Sequence, residues 1–300
     1  MLPEGSAAPT AINKDGQTLA ALTSGGVWVW DRTKGSAGAR PVPSASPGIA
    51  FSVTLSPDGT VLVVPHLDYA RGITEIVVFD VATLAVTHRI EAQRGSLVTI
   101  NPDNRWLALA SISYPRSPTL EVLDLTTGLR SSLVDELVAV AEDVDPLRGA
   151  WVGSMSFSPD SRLPAAAIHR GAAMIWDLST LQPVGDPLSR GNDAVVDLEF
   201  GHSSDVIVSV SSSNDISVRN VTTRELVAPV MQSPSGLSIG LADSPDGTKL
   251  LSGGSDTDLG VETWTTDPPQ CVHICASSPV DRSPTTNGPV SAPTRRRPDA

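Results

Sequence analysis

Phe51–Val64 reads FSVTLSPDGTVLVV: an alternating run, a Ser-Pro-Asp-Gly break and a second apolar run. Val53 and Leu55 alternate with polar neighbours ahead of the break, and Val61, Leu62, Val63 and Val64 follow it. Proline at the second turn position presets φ, aspartate bonds its own backbone, and glycine tolerates positive φ. Pro57, Asp58 and Gly59 therefore specify a tight turn between two strands, a β-hairpin.

The phrase recurs. Turn aspartates stand at Asp15 (NKDG), Asp58 (SPDG), Asp103 (NPDN, with Pro102), Asp160 (SPDS, with Pro159) and Asp246 (SPDG, with Pro245 and Gly247). Their intervals are 43, 45, 57 and 86 residues. The last is twice the first, and its midpoint, Ser203, lies in FGHSSDVIVSV, a degenerate copy of the phrase. The interval of 57 holds an insertion over 131–149, SSLVDELVAVAEDVDPLRG. Each turn leads into a second apolar run, a polar break, and a third run with its own ending. Those endings are VWVWD (Trp30, Asp31), IVVFD (Phe79, Asp80), LEVLD (Asp124), AMIWD (Trp176, Asp177), ISVRN and GVETW (Trp264). A Thr-containing turn and a weaker fourth strand complete a unit present in six copies. A period near 43 with four strands per unit predicts an all-β fold, a β-propeller of four-stranded blades. It occupies 10–267, with 1–9 as a lead and 268–300 as a tail.

These phrases resemble WD40 repeats of the bacterial type, with SPDG between the first two strands and Trp-Asp closing the third. Trp30-Asp31 and Trp176-Asp177 carry the full dipeptide. Phe79-Asp80 and Leu123-Asp124 keep the aspartate, while Arg219-Asn220 and Trp264-Thr265 match by half. The Gly-His pair that precedes the first strand in such repeats is absent, and Gly201-His202 falls one strand too late. The hydrogen-bonded His–Ser/Thr–Trp network of better-ordered blades is therefore not expected. The resemblance implies a non-enzymatic scaffold for protein–protein contact, the sensor or scaffold part of a larger bacterial signalling NTPase or regulator. Rings of this kind usually have seven blades, so six copies imply a six-bladed ring or a truncated seven-bladed one, with upstream domains in a longer parent. Related proteins often end in an AGR-x-LT-x-DEW-A motif. A shifted reading frame over 277–290 permits such an ending, which makes the tail an expected frameshift product.

The remaining features narrow the function. Net charge −12 and pI ≈ 4.7 oppose binding to nucleic-acid phosphates. No apolar run reaches the ~18 residues of a membrane span, and MLPEGSAAPT has no secretory leader pattern. Cys271 and Cys275, the two cysteines, make no disulfide framework and suit a reducing, cytoplasmic compartment. His66, His88, His169, His202 and His273 lie on different repeats without zinc spacing, and CVHIC lacks a second ligand pair. No metal, cofactor or catalytic residue is expected. The turn aspartates are read as scaffold, set far apart around a rim. Trp28, Trp30, Trp106, Trp176 and Trp264 are read as packing between blades. The insertion, with Leu133 and Leu137 at helical spacing beside Asp135, Glu136, Glu142 and Asp143, is either a partner-contact loop or a solvated one. The tail from Pro268 is rich in Pro, Ser and Thr and is expected to be disordered.

Two rival readings follow. A metal-dependent, lactonase-like propeller enzyme needs acids or histidines converging at the inner strands, where Val53, Val98 and Met155 stand. An unclosed array of blades exposes sheet edges and is expected to be unstable alone.

Overall fold

The computed structural model describes residues 8–44, 46–111, 119–133, 152–168, 173–188, 195–232, 238–244, 248–254, 261–265 and 273–274. Each hairpin phrase opens one sheet. Blade 1 comprises β1 (Ala8–Ile12), β2 (Thr18–Thr23), β3 (Gly26–Asp31) and β4 (Ala39–Pro41), with a short 3₁₀ segment at Arg32–Gly38. Blade 2 splits its first strand into β5 (Ile49–Ala50) and β6 (Thr54–Leu55), then adds β7 (Val61–Asp68), β8 (Ile73–Asp80) and β9 (Val86–Gln93). Blade 3 holds β10 (Ser96–Ile100), β11 (Trp106–Ser111), β12 (Leu120–Asp124) and β13 (Arg130–Ser132). Blade 4 holds β14 (Val152–Phe157), β15 (Pro164–Ile168), β16 (Ala173–Asp177) and β17 (Gln182–Pro183). Blade 5 holds β18 (Val195–Phe200), β19 (Val206–Ser211), β20 (Asp215–Asn220) and β21 (Met231–Gln232). Blade 6 holds β22 (Ser238–Asp243), β23 (Lys249–Gly254), β24 (Val261–Thr265) and β25 (His273–Ile274). Within every blade the strands pair in chain order, antiparallel throughout.

Three boundaries differ from the sequence-based ones. β1 begins at Ala8, inside the expected lead. β13 takes Ser131 and Ser132 from the expected insertion, and β25 lies inside the expected tail. Short outer strands such as Arg-Ser-Ser or His-Ile carry almost no hydrophobic pattern, so periodicity cannot find them. The rest of the lead, the insertion beyond Leu133 and the remainder of the tail, with its reading-frame question, lie outside the described residues.

The core is a series of layers between sheets. Because side chains alternate faces along a strand, each blade contributes to two layers. In blade 2, Leu62, Val64, Val77 and Phe79 pack on Ala20, Val27 and Val29 of blade 1. The alternate set, Val63, Ile76, Val78 and Ile90, packs on Val98, Leu107 and Leu109 of blade 3. The same division repeats between blades 3 and 4, 4 and 5, and 5 and 6. Each fully buried aliphatic side chain contributes about 1.5–3 kcal/mol. A blade alone would expose both faces, so the interblade layers hold the fold together.

First strands lie against first strands: β1 touches β6, β6 touches β10, then β14, β18 and β22 follow in turn. They form the inner wall. Hydrogen bonds cross between them, as in Thr54 Oγ1 to Val98 O (3.1 Å), Ser154 Oγ to Leu198 O (3.2 Å) and Phe200 N to Ser156 Oγ (3.1 Å). No comparably extensive contact joins β22 to β1 among the described residues. No helix among those residues is long and apolar enough to cross a membrane.

Candidate interaction face

In an antiparallel four-strand meander, the first and third turns fall at one end and the second turn and the interblade connection at the other. The blade stack thus has two faces, a turn face and a loop face, and they differ in chemistry.

On the turn face the hairpin phrases of blades 1 to 4 fold alike. The amide of the fourth residue donates to the carbonyl of the first: Gly16 to Asn13, Gly59 to Ser56, Asn104 to Asn101 and Ser161 to Ser158. The fourth residue has positive φ in all four. Asp58 Oδ1 accepts from Ser56 Oγ (2.6 Å) and Thr60 N (3.0 Å), and Asp160 Oδ1 from Ser158 Oγ (2.6 Å) and Arg162 N (3.2 Å). Asp15 Oδ1 accepts from Gln17 N (2.8 Å). The first residue of the phrase is the most buried. Ser56, Asn101 and Ser158 are fully enclosed and take the amide five positions on: Val61 N to Ser56 Oγ (2.9 Å), Trp106 N to Asn101 Oδ1 (2.8 Å) and Leu163 N to Ser158 Oγ (2.9 Å). In blade 6, Lys249 N to Ser244 Oγ (2.9 Å) repeats this bond, while Pro245, Asp246 and Gly247 lie outside the described residues.

The turns on successive blades are tied in series. Lys14 N donates to Pro57 O (2.9 Å) and Asn104 Nδ2 to Asp58 Oδ2 (2.8 Å). Asp103 N donates to Ser161 Oγ (3.0 Å), and Asp160 N to Ser204 Oγ (3.1 Å). A relay of hydrogen bonds therefore joins blades 1 to 5 along this face. At Gly59 a Cβ would meet Asn13 Nδ2 of blade 1 at 2.7 Å, and φ is +74°, so close approach and backbone both require glycine. Pro102 and Pro159 set the second turn position in their blades, as Pro57 does.

The aspartates that close the third strand cap the next turn. Asp31 Oδ1 accepts from Thr33 N (3.1 Å), Asp80 from Thr83 N (2.8 Å), Asp124 from Thr126 N (2.9 Å) and Asp177 from Ser179 N (2.7 Å). Asn220, in the same place, takes Thr222 N and Thr223 N, both at 2.9 Å. Arg105 adds a two-pronged bond to Asp124, Nε to Oδ1 at 3.2 Å and Nη2 to Oδ2 at 2.7 Å. Arg105 and the Thr126 amide hold the Asp124 carboxyl far below the usual carboxylate range. Lys34 and Thr33 bring Asp31 to about 2. Thr83 lowers Asp80 and Ser179 lowers Asp177. At Asp58 and Asp160 burial pushes upward, but the turn hydrogen bonds outweigh it and both are lowered. These acids are committed acceptors, ionised at neutral pH, and a general acid is not among them.

The aromatic positions divide. Trp176 and Phe79 are fully enclosed between blades, and Trp264 packs between blades 5 and 6. Trp106 packs at the edge of the layer between blades 3 and 4, under the Arg105 guanidinium at 5.4 Å. Trp28 and Trp30 lie on the face of β3 opposite Val27 and Val29, the side on which Phe79 and Trp176 meet the preceding blade; they stack at 6.1 Å and Trp30 is buried. The Trp176 indole N–H has no hydrogen-bond partner among the described residues, in keeping with the alanine-rich second strand opposite it.

Leu133 is corrected from a contact-loop residue to a core residue. It is buried against blade 4 and its amide donates to Leu120 O (2.9 Å). Asp135, Glu136, Leu137, Glu142 and Asp143 lie outside the described residues. Sequence reasoning also missed Asp197, the carboxylate on the inner strand β18. It accepts from Leu198 N (2.9 Å) and Leu241 N (3.0 Å), linking blade 5 to blade 6. Burial raises its pKa against those bonds and one from Ser154. With its acceptors taken, Asp197 is a tie between inner strands. No group of three or more potential metal ligands occurs among the described residues.

The loop face is less uniform. It carries the connections at 42–48, 69–72, 94–95, 184–188 and 212–214, and Leu133 enters the long one between blades 3 and 4. The β7–β8 hairpin of blade 2 projects there, with Tyr69 largely exposed.

No protein-family model matches the chain, and no curated protein sequence matches it. Solved structures match its fold. A chain of the Mitotic Checkpoint Complex aligns with TM-score 0.68 and 16% identity, covering 89% of this chain and 78% of that one. The Myceliophteria thermophila Cps50 (Swd1) β-propeller domain aligns with TM-score 0.68 and 14% identity, covering 91% and 86%. The fold is an all-β propeller of four-stranded blades.

Proposed function

We propose that this chain is a non-enzymatic β-propeller scaffold of the WD40 kind. It offers its loop face to protein partners, as the sensor or scaffold part of a bacterial signalling protein. The observation that carries this reading is the contrast between faces. On the turn face Asp15, Asp58, Asp160 and the aspartates that close the third strands are spent on caps, and the turns are tied to one another, so few of these groups are left to bind with. The connections on the other face follow no shared pattern, and loops on a rigid frame commonly carry recognition. The repeat phrases support the WD40 comparison, and one neighbour of similar fold is a chain of a multiprotein complex. The acidic composition disfavours nucleic acid as the partner.

The test is a comparative capture with purified chain. Two variant sets are compared, one replacing loop-face residues 69–72 and 212–214, the other substituting turn-face residues Asp15 and His202. Loop-face replacement should release bound proteins that turn-face substitution retains. Equal retention by both sets contradicts the reading, and so does divalent-cation-dependent lactone hydrolysis by the wild-type chain.

A further inference from the structure

The β7–β8 hairpin of blade 2 stands taller on the loop face than the described hairpins of blades 1 and 5. β7 and β8 run eight residues each, against six for the second and third strands of blades 1 and 5. Their pairing starts level with the other blades at Val61↔Asp80 and continues to Asp68↔Ile73. Two extra residues at a rise of about 3.3 Å lift the tip by roughly 7 Å.

The tip is preorganised. Asp68 Oδ1 accepts from Ala70 N (3.0 Å) and Arg71 N (3.1 Å), and Gly72 N donates to Asp68 O (2.9 Å). The stem is braced by Arg71 with Glu91 and by Arg89 with Glu75 at 3.0 Å. Gly95 N donates to Thr74 Oγ1 (2.9 Å), which fixes the connection leaving β9 beside the hairpin. That bond sets the Arg94 guanidinium 5.5 Å from the centre of the Tyr69 ring. Tyr69 is 64% exposed, as is Ile49 at the same end of the blade. Arg71, Arg89 and Arg130 each have a carboxylate. Arg94 has none among the described residues.

We infer that Tyr69 and Arg94 form the anchor for a partner protein segment carrying a carboxylate beside an apolar side chain. The inference rests on the scaffold reading above and names its surface and partner chemistry. Tyrosine and arginine dominate binding energy at protein interfaces, and a cation already held over an aromatic ring gives up little further freedom on binding. The unpaired guanidinium calls for an anion, and the exposed ring and Ile49 call for an apolar neighbour to it. The chain as a whole is acidic, net −12, so an acidic segment gains at a cation such as Arg94 what it lacks over most of the surface.

The test uses the full chain on an array of 12-residue peptides in which Leu or Phe is flanked by Asp/Glu, by Gln or by Lys/Arg. Wild type should select the acidic set. Tyr69→Ala and Arg94→Glu should each weaken that binding by about tenfold or more, and Arg94→Glu should shift selection toward the basic set. Both side chains are exposed, so the thermal midpoint should stay put and report that the variants fold. Acidic peptides that bind both variants as tightly as wild type would overturn this anchor and leave the scaffold reading standing. Selection of basic or neutral peptides by wild type would overturn the partner chemistry. Failure of the wild-type chain to select any peptide set would count against both.

Discussion

Ser56 and Asp58 share one turn and carry different burdens. Asp58 caps the turn from its rim, but Ser56 is enclosed, donating to Asp58 and accepting from Val61 N at once. Ser158 repeats the arrangement. Removing either hydroxyl strands a buried amide, so Ser56→Ala and Ser158→Ala should each lower stability by about 1–3 kcal/mol in denaturant titration. A loss below about 0.5 kcal/mol would show that the turn closes without the serine. His66 sets a different dependence. Burial holds it below its ordinary pKa of 6.5, with its Nδ1 against Val64 O and Glu75 and Arg89 as the nearby charges. The unfolded chain binds a proton below pH 6.5 that the folded chain resists, so stability contributed by neutral His66 is present above that pH and falls as pH drops through it. His66→Phe should flatten this section of the unfolding midpoint's pH profile; an unchanged profile would remove His66 as its source.

At the level of elements, the third-to-fourth-strand turn repeats one backbone shape with unequal residues. Its last position has positive φ at Leu84 (58°), Gly128 (74°), Leu181 (58°) and Arg224 (65°). Blade 3 supplies the glycine that this shape favours, while Arg224 also has its Nε and Nη1 enclosed without hydrogen-bond partners among the described residues. Relief of the left-handed backbone and of the desolvated guanidinium should make Arg224→Gly raise stability by about 1 kcal/mol, and Gly128→Ala lower it by a similar amount. Opposite signs in thermal melts would contradict the assigned turn geometry. The Thr-and-Gly turn was visible in DLTTG, and the hairpin phrases and closing aspartates announced the four-stranded unit. What stayed hidden depended on partners distant in sequence. Ser56 outranks Asp58 only because a neighbouring blade covers it. Leu133 has helical spacing with Leu137, but its packing against blade 4 makes it core. Asp197 stands among apolar inner-strand residues, and only the position of blade 6 supplies its Leu241 donor. The tall hairpin was a polar break in the sequence; the length of its flanking strands became legible once the pairing ran on to Asp68.

Across the whole molecule, blades joined face to face form a linear series in which each contacts its neighbours. The apolar layers supply cohesion, and the turn relay adds a hydrogen-bonded seam along one face. This division gives the two faces different chemistry. Its most direct measurement is residue-resolved amide hydrogen exchange on the isolated chain. The amides of Lys14, Asp103 and Asp160 sit in turns at the surface, yet each donates to the neighbouring blade. They should exchange at least about a hundredfold more slowly than unstructured peptide, as local opening would have to pull neighbouring blades apart. Exchange of these three amides at unstructured rates would mean that the turn face is not locked, and the contrast between the two faces would fall with it.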